Sequence, residues 1–105
     1  MEHISATELS VWLKDAGRPD PLLLDVREPD EFAAYRIDDS VLMPLRTLPA
    51  RLHELDRRID IVMICRSGAR SYHAGLFLEQ NGFGRIHNLV GGVIAWARDV
   101  APATA

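Results

Sequence analysis

Short apolar runs of four or five residues alternate along this chain with segments of helical periodicity, and that alternation restricts the fold more than any other feature. Ser5 followed by Glu8 is a capping box, and Leu9, Trp12, Leu13 and Ala16 recur at helical spacing until Gly17 stops the helix. After the Pro19–Pro21 break, Leu22 to Val26 reads as a strand buried on both faces. Pro29 opens a short helix over 29–36, Val41 to Met43 is a second strand closed by Pro44, and Pro49 opens a helix that buries Leu52 and Leu55. Ile61 to Ile64, with three β-branched residues in four, is the most strand-like segment. Ala69 to Gln80 reads as a helix with Tyr72, Leu76 and Phe77 on one side, ended by Asn81-Gly82 in a left-handed cap. Ile86 to Leu89 is a further strand, and after Gly91-Gly92 a last helix carries Val93, Ile94 and Trp96. Strands separated by helices require right-handed crossovers, so the expected fold is α/β: a small, mostly parallel sheet with helices on both faces.

Ligands of such sheets bind at the carboxyl ends of the strands, where loops run into helix N-termini. The loop after Ile64 reads Cys65-Arg66-Ser67-Gly68-Ala69-Arg70-Ser71, between the strongest strand and the strongest helix. Small residues running into a helix turn several N–H groups toward one point, and the helix N-terminus adds about half a positive charge there. Gly68 permits the tight turn. Arg66 and Arg70, which elsewhere would be ordinary solvated surface residues, add two full charges. That setting lowers a cysteine pKa from about 8.5 toward or below neutrality. A lone Cys ending an apolar strand is otherwise a small buried hydrophobe. Two arginines, a glycine and two serines in the next six positions make Cys65 a nucleophile instead.

Ring size separates reaction classes. Cysteine phosphatases place five residues between Cys and Arg to hold three phosphoryl oxygens. Here four residues separate Cys65 from Arg70, and the next position is Ser71. The smaller ring suits a compact anion, such as one sulfur atom added to the cysteine.

The run Ile61 to Ser71, with Gly82-Phe83 and then Asn88-Leu89-Val90-Gly91-Gly92-Val93-Ile94-Ala95-Trp96, resembles a single-domain rhodanese, a thiosulfate sulfurtransferase. Upstream, Leu24-Asp25-Val26-Arg27-Glu28 with Glu31-Phe32 and the segment from Pro44 to Leu55 extend the likeness over nearly the whole chain. The resemblance implies sulfur transfer in two half-reactions. The Cys65 thiolate takes the outer sulfur of a donor such as thiosulfate and passes it from a persulfide to cyanide or a thiol. It further implies that the loop from Arg66 through Ser67, Gly68, Ala69, Arg70 and Ser71 binds the anionic donor and the persulfide. Asp25 and Arg27 would brace that loop from a neighbouring strand end, and no metal or organic cofactor is needed. The family's Gly-His-Ile-Pro-Gly-Ala pattern is replaced here by Tyr35-Arg36-Ile37-Asp38-Asp39-Ser40. The new charges are expected near the pocket mouth, with an altered acceptor preference.

Two other functions compete: a non-catalytic or carrier module in a sulfur-relay pathway, served by a partner protein, and a phosphatase or arsenate reductase using the same thiolate. The chain's 105 residues suit one domain, expected over residues 1–100 with a flexible tail over 101–105. A single Cys excludes an internal disulfide and any Cys-based metal site within one chain. His3, His53, His73 and His87 are too dispersed for a metal site. Net charge is −3, and the 12 basic residues, 11 of them Arg, are scattered, so no nucleic-acid partner is expected. The apolar runs are far shorter than the roughly 20 residues that span a bilayer. With no secretory leader visible at Met1 to Ser10, a cytoplasmic location and no membrane partner are expected. Trp12 and Trp96 read as core anchors, and Gly91-Gly92 as a turn requiring positive φ.

Overall fold

The computed structural model describes residues 1–101. The expected tail therefore lies, past Ala101, outside the described residues. In chain order the elements are β1 (Glu2–Ile4), α1 (Ala6–Lys14), β2 (Leu22–Asp25), α2 (Pro29–Ala34), β3 (Val41–Leu42), α3 (Leu48–Arg51), β4 (Ile61–Ile64), α4 (Ala69–Gln80), β5 (Ile86–Leu89) and α5 (Gly92–Asp99), with single 3₁₀ turns flanking α3. The strands form one sheet in the order β1-β5-β4-β2-β3, and every pairing is parallel. The fold is α/β, as the alternation predicts.

The pleat of β4 shows why the sheet must be covered twice. Val62 and Ile64 join Ala6, Leu9 and Trp12 of α1 and Val93 and Ala95 of α5 in one core cluster. Ile61, Met63 and Cys65 join Leu48 of α3 and Ala74 and Leu78 of α4 in the other. Residues 61–64 are all fully buried, and each such side chain contributes about 1.5–3 kcal/mol. No helix among the described residues is long and apolar enough to cross a membrane.

Four local differences from the sequence reading have physical causes. Strand β1 was not expected. It holds only one apolar residue, Ile4, and exists because its backbone pairs with β5, Glu2 against His87 and Ile4 against Leu89. Helix α1 stops at Lys14 and not at Gly17. Asp15 turns extended and its Oδ1 accepts the Gly17 N–H at 2.9 Å, an Asx turn that competes with helix. Helix α4 has the expected ends, but its buried face is Ser71, Ala74, Gly75 and Leu78, while Tyr72 is exposed. Small residues let this helix lie close on the sheet: a Cβ at Gly75 would press on Ile86. In α5, Val93 is buried but Ile94 is exposed and Trp96 only half-buried. Trp12 does anchor the core, its Nε1–H donating to the Pro19 carbonyl at 3.0 Å.

The Arg36, Asp38 and Asp39 side of the molecule also departs from expectation. With Lys14, Asp20, Leu23 and Trp96 these residues line a groove of about 620 Å³ against α1 and α5. None of the Cys65–Ser71 loop lines it. The charges therefore sit on the side of the sheet covered by α1 and α5, whereas Cys65 packs on the side covered by α4.

Candidate active site

Strand β4 delivers Cys65 to its carboxyl end with 1 % exposure, and the chain then turns into α4 through Gly68 at φ +108°. Only a residue tolerant of the left-handed region can hold that turn. The N-terminus of α5 supports it from below. Val93 N–H donates to the Cys65 carbonyl at 3.0 Å and Ile94 N–H to the Arg66 carbonyl at 3.2 Å. Gly92, at φ +56°, makes this approach possible. A Cβ there would drive into the carbonyls of Cys65 and Arg66. The glycine pair thus serves close packing as well as the turn.

Around the sulfur, the Gly68 N–H donates to Sγ at 3.1 Å and the Ser71 hydroxyl lies 3.2 Å from it. Burial pushes the Cys65 thiol up, but the Ser71 hydroxyl and the N–H groups of Ser71, Gly68 and Ser67 outweigh it and hold the thiol below its ordinary value. The expected lowering is present; its leading causes are these hydrogen bonds, and of the two guanidinium charges that of Arg70 interacts with the sulfur. Arg66 is exposed on the loop, and among the described residues no carboxylate pairs with it. Arg70 is bound end-on by Glu31 of α2, at 2.7 and 2.8 Å. Ser67 and Ala69 are exposed on the outer side of the loop, whereas Ser71 is fully buried beneath it and faces the sulfur.

Asp25 and Arg27 form a buried pair at the end of β2, with Arg27 Nη2 2.8 Å and Nε 3.0 Å from the Asp25 carboxylate. Arg27 also donates to the carbonyls of Tyr35 at 2.7 Å and Glu31 at 3.4 Å. The pair therefore fixes α2, and α2 presents Glu31 to Arg70. Its hold on the loop is indirect.

Two residues of the site carried no assigned role in the sequence reading. Glu31 sits at the third position of α2, where its Oε1 also accepts the Glu28 N–H at 3.1 Å, so it is anchored before it meets Arg70. Asn88 is a buried polar residue in an apolar strand. It accepts the Ser71 hydroxyl at 2.6 Å and donates from Nδ2 to the Gly68 carbonyl at 3.2 Å. A buried amide in a strand needs partners, which is the one signal that marks Asn88 in the sequence. Of the histidines, His87 bonds Asp60 at 3.0 Å and His3 stacks on Tyr72.

A family model for the rhodanese-like domain matches residues 5–99. The chain belongs to the rhodanese-like family. It is 44% identical over 105 residues to a sulfurtransferase of Allochromatium vinosum, covering all of this chain and 96% of that one. It is 36% identical over 80 residues to the putative sulfurtransferase YtwF of Bacillus subtilis, covering 76% of this chain and 77% of the relative. The rhodanese-like architecture recurs in a domain protein of Staphylococcus aureus, with 31% identity, a TM-score of 0.84 and 91% of each chain covered. This rhodanese-like chain also matches a probable adenylyltransferase/sulfurtransferase of Mycobacterium tuberculosis at 35% identity, covering 94% of itself but only 25% of that relative.

Proposed function

We propose that this rhodanese-like protein transfers a sulfane sulfur from thiosulfate or a persulfide donor to cyanide or a thiol through a persulfide on Cys65. The observation that carries the reading is the buried Cys65 thiol, its pKa held below the ordinary value by the Ser71 hydroxyl and a loop of inward N–H groups. In the first half-reaction the thiolate attacks the outer sulfur of thiosulfate, the S–S bond breaks, and sulfite leaves with the electron pair. The negative terminal sulfur is then met by N–H groups of the Arg66–Arg70 loop, a fixed donor array that needs no reorganisation. In the second, the acceptor's lone pair attacks that terminal sulfur and Cys65 returns as a thiolate. Arg66, exposed at the loop, draws the anionic donor in. Asp25 and Arg27 act through α2 to hold Glu31 and so Arg70 in place. A lone thiol with this role fits the reducing cytoplasm.

A carrier role, in which a partner protein delivers the sulfur, draws support from the Mycobacterium tuberculosis relative, where a similar domain is a quarter of a larger adenylyltransferase/sulfurtransferase. Intact-protein mass spectrometry after incubation with thiosulfate decides between them. The expected result is a gain of one sulfur atom on the wild type, removed by cyanide and absent from Cys65→Ser. No gain, with Cys65 still rapidly alkylated near neutral pH, overturns thiosulfate as donor and moves the carrier role ahead.

A further inference from the structure

Beneath the loop three polar groups stand in line: Cys65 Sγ, Ser71 Oγ 3.2 Å away, and Asn88 Oδ1 2.6 Å beyond the hydroxyl. They are 1 %, 0 % and 5 % exposed, so water does not complete their bonding. A serine hydroxyl has one proton to give. Asn88 cannot turn its oxygen aside, because its Nδ2 is engaged by the Gly68 carbonyl at 3.2 Å.

We infer that Asn88 is a positioning residue that competes with Cys65 for the single proton of Ser71 and thereby sets how readily the thiol ionises. This inference rests on the reading of Cys65 as a nucleophile and deepens it. In the thiol form S–H donates to Ser71 and Ser71 donates to Asn88, so every group is satisfied. On ionisation the sulfur becomes the stronger acceptor, the hydroxyl turns to it, and the Asn88 oxygen loses its donor in a buried place. Asn88 therefore opposes the thiolate. Once the inner sulfur is bonded to a second sulfur it no longer holds the charge, and the hydroxyl returns to Asn88.

Among the described residues the other charged groups around the sulfur make no hydrogen bond to this line, and of them the Arg70 charge acts on Cys65 through space. Arg70 of α4 is held by Glu31 of α2, Arg66 lies outside on the loop, and Asp25 and Arg27 neutralise each other at the end of β2. The first turn of α5 carries no acidic residue, and its Val93 and Ile94 N–H groups are taken by carbonyls. His3 and His73 lie on the outer side of the loop.

The rate of Cys65 alkylation by iodoacetamide against pH tests the proposal without any sulfur donor. Asn88→Ala is expected to lower the ionisation midpoint by about one unit, a tenfold rise in the thiolate ratio. Ser71→Ala raises the midpoint, and the double variant behaves as Ser71→Ala alone. A purely structural role predicts the opposite sign for Asn88→Ala, since loss of the Gly68 brace loosens the N–H donor at the sulfur. An unchanged or raised midpoint, or an equal fall with Ser71 already absent, overturns the inference. Asn88→Leu, which keeps the volume, gives the same reading if the alanine variant does not fold. Expected midpoints in a protein that takes no sulfur from any donor would remove the sulfurtransferase reading and leave this one standing.

Discussion

Glu31 and Arg70, 39 residues apart in sequence, meet through two hydrogen bonds of 2.7 and 2.8 Å that tie α2 to the first turn of α4 beside Cys65. The Arg70 hydrogen bonds hold the Glu31 carboxyl down to about 2, against burial, which works the other way. A folded value below the ordinary 4.5 means that the pair contributes stability above that pH and loses it as pH falls through about 2. Melting temperature measured from pH 6 down to pH 2 should show wild type above Glu31→Gln by a margin that shrinks below about pH 4.5. Arg70 is 38 % exposed, so the margin is small and falls with added salt.

The same pair divides the work of the two loop arginines. Among the described residues no carboxylate pairs with Arg66, while the charge of Arg70 is matched by Glu31. Arg66→Ala should raise the KM for thiosulfate several-fold and flatten its salt dependence. Glu31→Gln should lower that KM by releasing Arg70. Steady-state kinetics with thiosulfate and cyanide at two ionic strengths checks both directions.

Removing Arg27 leaves the Asp25 carboxylate buried without its partner. Arg27→Met should destabilise the protein by about 3–5 kcal/mol, the usual cost of breaking one side of a buried ion pair. Urea unfolding measures it. The loss should exceed that from Arg51→Met, whose pairing with Glu54 is partly exposed.

Gly92→Ala places a methyl group against the carbonyls of Cys65 and Arg66 at a positive φ. Strain and overpacking together should cost at least about 2 kcal/mol. Gly84→Ala, where a Cβ meets nothing within contact, is the control, followed by thermal melts of both variants.

Much of the site is local, and that is why it can be read in a line of residues. A strand of Ile61 to Ile64, a cysteine, a glycine turn and a helix from Ala69 fall into place from side-chain pattern and backbone preference alone. The α/β class and the end of α4 at Asn81-Gly82 follow from the same short-range rules. Strand β1 does not, because its hydrogen bonds belong to β5 and its side chains carry almost no apolar signal. The inward face of α4 escapes for a related reason: close approach to the sheet selects its small residues over its large ones. Which charges reach the sulfur is likewise a matter of three dimensions. Glu31, Arg70, Ser71 and Asn88 come from α2, α4 and β5, and only their packing shows that a carboxylate neutralises one arginine while a buried hydroxyl serves the thiol. The sequence by itself determined the layered sheet, the cysteine at the end of β4 and the loop that holds it, since these depend on neighbours in the chain. The tertiary structure alone decided the electrostatics of that loop, because charges and protons answer to distance in space.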